Sequence, residues 1–552
     1  MSSKFDRRTL LAGGAAAAAG LAGASALDLS WENLAGAVNN GPGRNGVSTA
    51  KPKKGGHLIF GVDAEEVGFD PTSAHYDEVG VMYARTVFDP LTIVNVSGGW
   101  EPYLAQSVTS NAALTAWTIT LRPNVLFHDG TACDGAALLT NLQAQAKSLL
   151  TGIVLTPILV SIVQTGPLAV TLTFSKPWAP FPYWLAGSIG GQIGYVVAPS
   201  MLANKNGTSN PVGTGPFVFT EWIPNDHFTA TANPHYWRPG LPYLDQITFK
   251  PIPDEDARAE ALKTKTIDIM VTDTPQIVSQ FRGNKAYSYI DDSSKVIGEP
   301  DMNFVMLNCQ AAPFNDPNVR LAAAMAINRQ QYAKVIDQGQ LKVSGGVFAP
   351  GSEYYSKTSY PNYNPSQAKK LVAAKAKSTG APVAFTLGGT TGPAAVRAQE
   401  YIQQAFNAVG FNVTNSTVEQ NDLINTALAG KFQALGWRQF GDVDPDLNYI
   451  FWSTTTVSSA IPLNFARNSD PQIEAALQLG RTSTNPAVRK KAYQTVNQRF
   501  AIDLPYLFTD QAVWAIIGQP SVQNFNNPKT PKGTAALGLI AGSIWPTQIW
   551  LS

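Results

Sequence analysis

The stretch Trp117-Thr-Ile-Thr-Leu-Arg-Pro-Asn-Val-Leu-Phe-His-Asp-Gly130 decides the fold of this chain. Apolar and polar residues alternate from Trp117 to Arg122, which is the pattern of a strand with one buried face. Asp129-Gly130 is a turn signal, and Asp134 beyond it can cap a helix. We interpret His128 as a side chain that ties the strand end to the turn, because no second His or Cys lies at metal-ligand spacing. A catalytic or metal-binding role for His128 is the alternative.

Two further motifs follow this stretch along the chain. They are Pro211-Val-Gly-Thr-Gly-Pro-Phe-Val-Phe-Thr-Glu-Trp222 and Asn233-Pro-His-Tyr-Trp237. In order and spacing, the three stretches resemble those of the family 5 extracellular solute-binding proteins, the peptide- and nickel-binding components of ABC importers. The resemblance extends from about Gly55 almost to the C-terminus.

The resemblance implies a fold and a function. The expected fold is α/β: a two-lobed, periplasmic-binding-protein-like fold with an extra inserted domain and a hinge of two crossover segments. The expected protein is an extracytoplasmic, monomeric substrate-binding protein that captures a small ligand between its lobes and delivers it to the transmembrane permease subunits of an ABC importer. The implied domain map is lobe I at 55–90, 208–297 and 509–552, the inserted domain at 91–207, and lobe II at 298–508.

Helical and strand patterns support an α/β class independently. Asp316-Pro317 begins a helix, with Asp316 as its cap, and Gly339 can end it. A second helix begins at Asn364-Pro365, and a third extends from Pro393 to Gly410. The strand pattern Phe411-Asn-Val413 comes directly after. Helices that alternate with strands indicate an α/β protein.

The N-terminus reads as an export signal, residues 1–26. Arg7-Arg8 precede a segment rich in Ala and Gly, and Ala24-Ser25-Ala26 has the form of a signal-peptidase site. Paired arginines before a weakly apolar segment resemble a twin-arginine signal; an ordinary secretory signal is the alternative. Residues 27–54 are expected to form a disordered tether. No Cys follows the cleavage site, so we expect a periplasmic or cell-envelope protein that is not a lipoprotein of the usual kind.

Composition excludes several classes of protein. The 40 basic and 39 acidic residues give a net charge of +1, so no basic surface for nucleic acid is expected. The two cysteines, Cys133 and Cys309, are interpreted as small buried residues and not as a disulfide. The sequence contains no H-E-x-x-H, G-x-S-x-G or P-loop motif. We therefore expect no catalysis, cofactor or metal site.

The candidate ligand site begins in Leu435-Gly-Trp-Arg-Gln-Phe-Gly-Asp-Val-Asp-Pro-Asp446. Peptide-binding members of the family carry G-W-x-x-D-x-x-D-P here, and their first Asp pairs with the peptide α-ammonium. The resemblance implies this role for Asp442, which lies two residues before Asp444 where the family pattern has three. Trp437 either stacks on the ligand or fills the lobe wall. Arg438 either pairs with a ligand carboxylate or faces solvent.

The remaining site assignments are less direct. Glu65 and Phe69 follow the first strand, where the family's first lobe reaches the cleft. Asp444 and Asp446 are interpreted as caps of turns or helices. The expected ligand is a di- or oligopeptide, with nickel complexes, small cations and glycosides as alternatives. A binding protein that senses or scaffolds without transport, and an exported hydrolase, are the rival functions.

Replacing Arg7 and Arg8 together by lysine should leave the precursor in the cytoplasm, because the twin-arginine pathway reads guanidinium geometry as well as charge. Cell fractionation measures this, and terminal sequencing of the wild-type mature protein should begin at Leu27. Normal secretion of the double-lysine variant would show that the segment is an ordinary secretory signal.

Overall fold

The computed structural model describes residues 50–74, 76–188, 190–204, 207–292, 301–438, 442–457 and 462–552. The predicted signal peptide, and the predicted tether up to residue 49, lie outside the described residues. Residues 51–54 are exposed, and the Nζ of Lys54 donates a hydrogen bond to the Pro242 carbonyl at 2.7 Å. The last residue of the predicted tether is thus attached to the folded body.

Strands and helices alternate through these ranges, and within them no helix combines the length and apolar composition needed to cross a bilayer. The strands are β1 His57–Val62, β2 Thr92–Val94, β3 Trp100–Pro102, β4 Ala105–Ser110, β5 Ala116–Leu121, β6 Leu159–Gly166, β7 Ala169–Phe174, β8 Phe217–Ile223, β9 His227–Ala232, β10 Gln246–Pro251, β11 Ile269–Thr272, β12 Ser288–Asp291, β13 Met302–Leu307, β14 Ala384–Thr390, β15 Asn412–Val418, β16 Ala434–Arg438, β17 Tyr506–Gln511, β18 Ala515–Gly518, β19 Val522–Gln523 and β20 Trp550–Leu551. The α-helices are α1 Glu78–Val87, α2 Gly135–Lys147, α3 Gly152–Leu155, α4 Pro199–Ala203, α5 Glu255–Lys263, α6 Pro275–Phe281, α7 Pro317–Ala326, α8 Arg329–Val335, α9 Pro365–Thr379, α10 Pro393–Asn407, α11 Gln420–Ala429, α12 Tyr449–Trp452, α13 Pro471–Thr482 and α14 Pro486–Asp503.

Two mixed sheets form the cores of the two lobes. The first lobe is built on a seven-stranded sheet of order β12-β18-β11-β1-β10-β9-β8, in which β1 is parallel to both of its neighbours. The second lobe is built on a five-stranded sheet of order β15-β14-β16-β13-β17. A separate antiparallel sheet of order β4-β5-β7-β6 belongs to the segment predicted as the inserted domain. The domain boundaries stay a prediction, and β17 crosses the boundary expected at 508/509, because it pairs with β13 in the second lobe.

The opening stretch of the sequence folds as its pattern predicts. Trp117, Ile119 and Leu121 are buried on one face of β5, between half-buried neighbours. The carboxylate of Asp134 accepts hydrogen bonds from the backbone N–H groups of Ala136 and Ala137, both at 3.0 Å, and so caps α2. These local interactions fix the strand, the turn and the helix that follows.

His128 joins this stretch to the second motif. Its Nε2 lies 3.0 Å from the carbonyl of Gly215, and the N–H of Gly213 donates to its Nδ1 at 3.4 Å. Burial lowers the pKa of His128 to about 4, so the ring is neutral at physiological pH. A Cβ on Gly213 would lie 2.2 Å from the Val87 carbonyl oxygen, so only glycine permits this close approach. The structural interpretation of His128 is confirmed.

The third motif is anchored on a buried carboxylate. Asp89 accepts hydrogen bonds from Trp237 Nε1 at 2.7 Å, Tyr236 Oη at 3.0 Å and Thr214 Oγ1 at 3.0 Å. Burial raises the pKa of Asp89 to about 6, against the three donors, which lower it. The second and third motifs therefore converge on one side chain where the chain leaves the first lobe.

The predicted helices are present, with one correction. The helix expected from Pro317 to Gly339 is two helices, α7 and α8, because Ile327 adopts an extended backbone and the Asn328 side chain caps α8 by accepting from the Gln331 N–H at 3.1 Å. α9 begins at Pro365 as predicted, and α10 ends three residues before the expected Gly410.

The two cysteines lie in different surroundings. Cys133 is buried in the apolar core beneath the inserted sheet, and Cys309 is partly buried near the end of β13; both are free thiols. Burial raises the pKa of Cys309 to about 12. Both side chains therefore behave as small apolar residues.

Two chain segments connect the lobes. One runs from β12 to β13, and the other is the short link Ala512–Trp514 between β17 and β18. Where they pass each other, the Asp292 N–H donates to the Trp514 carbonyl at 3.2 Å, and the Trp514 N–H donates to Asp292 Oδ1 at 2.8 Å. This paired crossover forms the hinge.

Asp446 binds the inserted domain to the second lobe. Its Oδ2 accepts hydrogen bonds from the indole N–H groups of Trp178 and Trp184 at 2.9 and 2.8 Å, and its Oδ1 accepts from Arg481 Nε at 2.9 Å. The side chain is 1% exposed. The interpretation of Asp446 as a cap is wrong, because the carboxylate points away from the local backbone and into this ion pair.

Asp446→Asn should lower the free energy of unfolding by about 3–5 kcal/mol, because it leaves Arg481 buried without its anion. The measurement is the urea midpoint of the first unfolding transition. Asp422→Asn is the control, since Asp422 is exposed on α11; it should stay within about 0.5 kcal/mol of wild type. Equal midpoints for all three proteins would mean that this ion pair adds no net stability.

Candidate functional site

The candidate site lies where an edge of the first lobe's sheet faces an edge of the second lobe's sheet. β1 and β11 are parallel neighbours, so their carboxyl ends meet at one edge. Asp63 and Asp273 come directly after these two strands. Crevices outside the carboxyl ends of strands are frequent ligand sites in open α/β sheets.

Charged residues also mark the facing edge of the second lobe. β16 ends at Arg438, which pairs with Asn303 in the neighbouring strand β13. Asp301 precedes β13, and the Asn303 amide donates to Asp510 Oδ1 on β17 at 2.7 Å. Sheet register therefore brings Arg438, Asp301 and Asp510 to one place.

Arg438 reaches across to the first lobe. One terminal nitrogen hydrogen-bonds the carboxylate of Asp273, and the other lies 3.6 Å from Glu78 Oε1. The guanidinium covers the ring of Trp514 in the crossover, 4.1 Å from its centroid. Burial acts to lower the pKa of Arg438, but the charges of Asp273 and Glu78 raise it above its usual range. Arg438 is a charged link between the lobes, and the alternative of a solvent-facing side chain is wrong.

Helix α1 contacts the second lobe at its first turn and the segment predicted as the inserted domain at its last turn. Asp77 caps it, accepting from the N–H groups of Val79 and Gly80, and Asp77 Oδ2 accepts from Gln420 of the second lobe at 3.3 Å. Every residue of α1 is buried. Glu78 opens the helix beside Arg438, and Arg85 lies in its last turn.

Asp442 lies between the second lobe and the inserted domain. Its Oδ2 accepts from the Ser188 hydroxyl at 2.5 Å, and its Oδ1 accepts from the Val443 N–H at 2.9 Å. Burial raises the pKa of Asp442 to about 7, although the Ser188 hydrogen bond and the nearby charge of Arg85 lower it. At neutral pH this carboxyl is poised between its charged and neutral forms.

Asp444 has a different role from Asp442. Its Oδ1 accepts from the Asp446 N–H at 2.9 Å and begins a 3-10 turn, which confirms the cap interpretation. Its other contacts are to Arg489, whose Nη2 lies 2.6 Å from Oδ2. Asp444 therefore belongs to the structure of the loop and is not available to a ligand.

Trp437 packs within the second lobe. Its ring meets Phe465 edge to face at 5.3 Å. Together they border a small apolar cavity, whose other lining residues are Phe304, Met306, Phe451, Leu463 and Tyr506. Of the two roles considered for Trp437, this packing favours the lobe wall.

Glu65 and Phe69 are engaged inside the first lobe. Glu65 accepts hydrogen bonds from Trp222 Nε1 at 2.9 Å and from the Asn225 N–H at 2.5 Å, which holds the β8–β9 hairpin. Phe69 is 1% exposed and packs against an aromatic cluster that includes Tyr83. These contacts engage both side chains in the packing of the first lobe, and their assignment to the ligand site stays a prediction.

The acids that do face Arg438 are not among the site residues predicted from the sequence. Asp63 and Asp273 each follow a strand directly, and Glu78 opens a helix behind its cap. A carboxylate immediately after an apolar strand is the signal that could have found the first two. Ser188, the partner of Asp442, lies in a glycine-rich turn without any such signal.

A metal centre has no support in the described ranges. No group of three or more His, Cys, Asp or Glu side chains there is arranged to hold a metal ion. The acids around Arg438 lie along two sheet edges, whereas a metal ion needs ligands that converge on one point.

Comparison with known proteins identifies the family. The model of the bacterial extracellular solute-binding proteins, family 5, matches residues 99–460. Di/tripeptide-binding protein 2 of Pseudomonas aeruginosa is 26% identical over 61% of this chain and 64% of its own length, just under two thirds. The glutathione-binding protein GsiB of Pectobacterium atrosepticum is 25% identical over 82% of this chain and 87% of its own.

A solved structure shows the same architecture. The periplasmic binding protein DppA of Helicobacter pylori, in complex with the peptide STSA, superimposes with a TM-score of 0.79 at 23% identity, over 90% of this chain and 98% of that one. The predicted two-lobed α/β fold is confirmed. Because the family model covers most of the chain, this protein belongs to family 5 of the bacterial extracellular solute-binding proteins.

Proposed function

We propose that the protein is the extracytoplasmic substrate-binding component of an ABC importer, which captures a di- or oligopeptide between its lobes and delivers it to the transmembrane permease subunits. Family membership supports this proposal, and so do the relatives that bind di- and tripeptides or glutathione. The observation that carries it is the pair of contacts made by Arg438, the last residue of β16, and by Asp442. From the second lobe, Arg438 contacts Glu78 and Asp273 of the first lobe, and Asp442 contacts Ser188 in the segment predicted as the inserted domain. A ligand at this junction would contact all three parts of the molecule.

Asp442 is the proposed acceptor for the ligand's ammonium group. Its carboxyl is buried, and its hydrogen bonds come only from a hydroxyl and a backbone N–H, so its charge has no direct ion-pair partner in the described residues. A ligand cation would supply the missing charge. Arg438 and Trp437 are proposed as positioning residues, which hold the lobe interface and the wall behind the ligand.

The remaining parts of the proposal concern location and chemistry. We propose export through the twin-arginine signal at residues 1–26, a periplasmic or cell-envelope location, a monomeric state, and no chemical change to the ligand. The extracellular character of the family supports the location. The absence of catalytic sequence motifs supports binding without catalysis.

Protein purified from its host should carry an intact peptide, which mass spectrometry of the denatured complex identifies. X-ray scattering should show a smaller radius of gyration after that peptide is added back to stripped protein, because two lobes close over a ligand in hinged binding proteins. Cleavage products that accumulate with time would overturn the binding-protein proposal. Tight binding at an unchanged radius would place the ligand inside one lobe.

Asp442→Asn should weaken binding of the co-purifying peptide by about 2–5 kcal/mol, the range for removing one partner of a desolvated charge pair. Calorimetry on both proteins measures this. Asp422→Asn serves as the matched control, because Asp422 is exposed in the same lobe; Asp446→Asn is unsuitable, because that carboxylate supports the fold. Equal affinities for wild type and Asp442→Asn would remove Asp442 from the site.

A further inference from the structure

Among the described residues where the two lobes meet, acidic side chains outnumber basic ones. We call five of these acids the interlobe acidic cluster: Asp63, Glu78 and Asp273 of the first lobe, and Asp337 and Asp510 beside the hinge. Asp273, Glu78 and Asp63 all act on the charge of Arg438, and the charge of Asp510 acts on Asp337. Arg258 also acts on Asp63, but its guanidinium donates to backbone carbonyls, including that of Val271 at 3.0 Å.

Arg438 is held too firmly to pair with all the carboxylates of the cluster. It hydrogen-bonds one carboxylate, that of Asp273, and its contact with Glu78 at 3.6 Å is longer than a hydrogen bond. Trp514 covers one face of the guanidinium, which limits its movement toward the other acids. The Nε of Arg438 is buried without a hydrogen-bond acceptor among the described residues.

Several carboxylate oxygens of the cluster are buried without hydrogen-bond donors. Glu78 is 2% exposed, and its Oε2 has no partner in the described part of the chain. The same holds there for Asp337 Oδ2 and Asp510 Oδ2, in residues that are 3% and 0% exposed. Buried polar atoms in proteins are normally paired, and leaving an anionic oxygen without a donor is costly. The other oxygen of Glu78, Oε1, lies 3.6 Å from the Arg438 guanidinium, so this carboxyl group lies beside the lobe interface.

The pKa values of two of these acids are raised, as expected for buried carboxyl groups with too little positive charge beside them. Burial, strengthened by the charge of Asp510, raises the pKa of Asp337 to about 8. Burial also raises the pKa of Glu78 well above its usual value, and the neighbouring charge of Asp77 adds to the rise. A cation bound beside these acids would lower their pKa values, because a nearby positive charge favours the charged form.

We infer that the interlobe acidic cluster selects ligands that carry an organic cation, an ammonium or guanidinium group additional to any peptide α-amine. This inference rests on the proposed function, because it takes the lobe interface as the ligand site. The N–H donors of such a group point in several directions, so they can bond separate carboxylate oxygens at the edges of both sheets. A metal ion would need those oxygens to converge on one point. A basic peptide and a polyamine both offer this chemistry. Glu78 belongs to the first lobe and Asp337 to the second, so both lobes contribute carboxylates to the cluster.

The test is calorimetry at pH 7 on the mature chain stripped of bound ligand, with trilysine, trialanine and spermidine as probes. Trilysine should bind at least tenfold more tightly than trialanine. Glu78→Gln keeps the shape of the side chain and should reduce that ratio to within threefold. Glu400→Gln is the matched control, because Glu400 is exposed on α10; it should keep the full ratio.

The outcomes separate this inference from the proposed function. Equal affinities for trilysine and trialanine would overturn cation selection and leave peptide binding intact. Tight spermidine binding that Glu78→Gln abolishes, with neither peptide bound, would support the cluster and overturn the peptide proposal. If Ca²⁺ or Mg²⁺ binds without any peptide or polyamine, and Glu78→Gln abolishes that binding, the inference of an organic-cation site is overturned in favour of a metal site. Should Glu78→Gln fail to fold by circular dichroism, Asp337→Asn takes its place with the same expected loss, and an unchanged ratio in that variant would overturn the inference.

Discussion

The ion pairs of Arg438 are the constraint on which the arrangement of the lobes depends. A guanidinium buried at the edge of the second lobe needs carboxylates, because an unpaired buried charge costs several kcal/mol. Asp273 and Glu78 provide them from the first lobe, and Trp514 in the crossover covers the charged face. The register of β16 on β13 aims Arg438 at these acids, and the cap of α1 brings Glu78 to the same point. Opening the cleft must therefore break charged contacts at the hinge side, where water or a ligand has to replace them.

Asp442, Asp444 and Asp446 lie at alternate positions of one short segment, and their surroundings give the same type of side chain different roles. Asp446 and Asp444 each meet a buried arginine, Arg481 and Arg489, and both are committed to joining segments of the fold. Among the described residues, Asp442 accepts hydrogen bonds from the Ser188 hydroxyl and a backbone N–H, and from no cation. Its pKa of about 7 follows from that difference, because burial penalises its charge and no direct ion pair restores it. The carboxylate suited to a ligand is the one that the fold leaves without a cation.

Local signals predicted the local structure well, and long-range packing decided the rest. The Asp134 cap depends on neighbours within three residues, so the sequence alone reveals it. Asn328 divides an apparently continuous helix, because its amide caps a new helix in competition with the old one. Phe69 was expected at the cleft, but an aromatic cluster from distant strands buries it. Asp63 and Asp273 lie far apart in sequence and become neighbours only because β1 and β11 are adjacent and parallel.

The acidic character of the lobe interface does not follow from the chain's overall charge, which is +1. The excess is local, and it arises because strands of both sheets end in carboxylates at the same interface. A cleft lined by one sign of charge between low-dielectric walls focuses the electric field and concentrates ions of opposite sign. Excluding water on closure strengthens each contact that forms there. Selectivity for ligand charge and closure of the lobes would then both depend on the carboxylates of this interface.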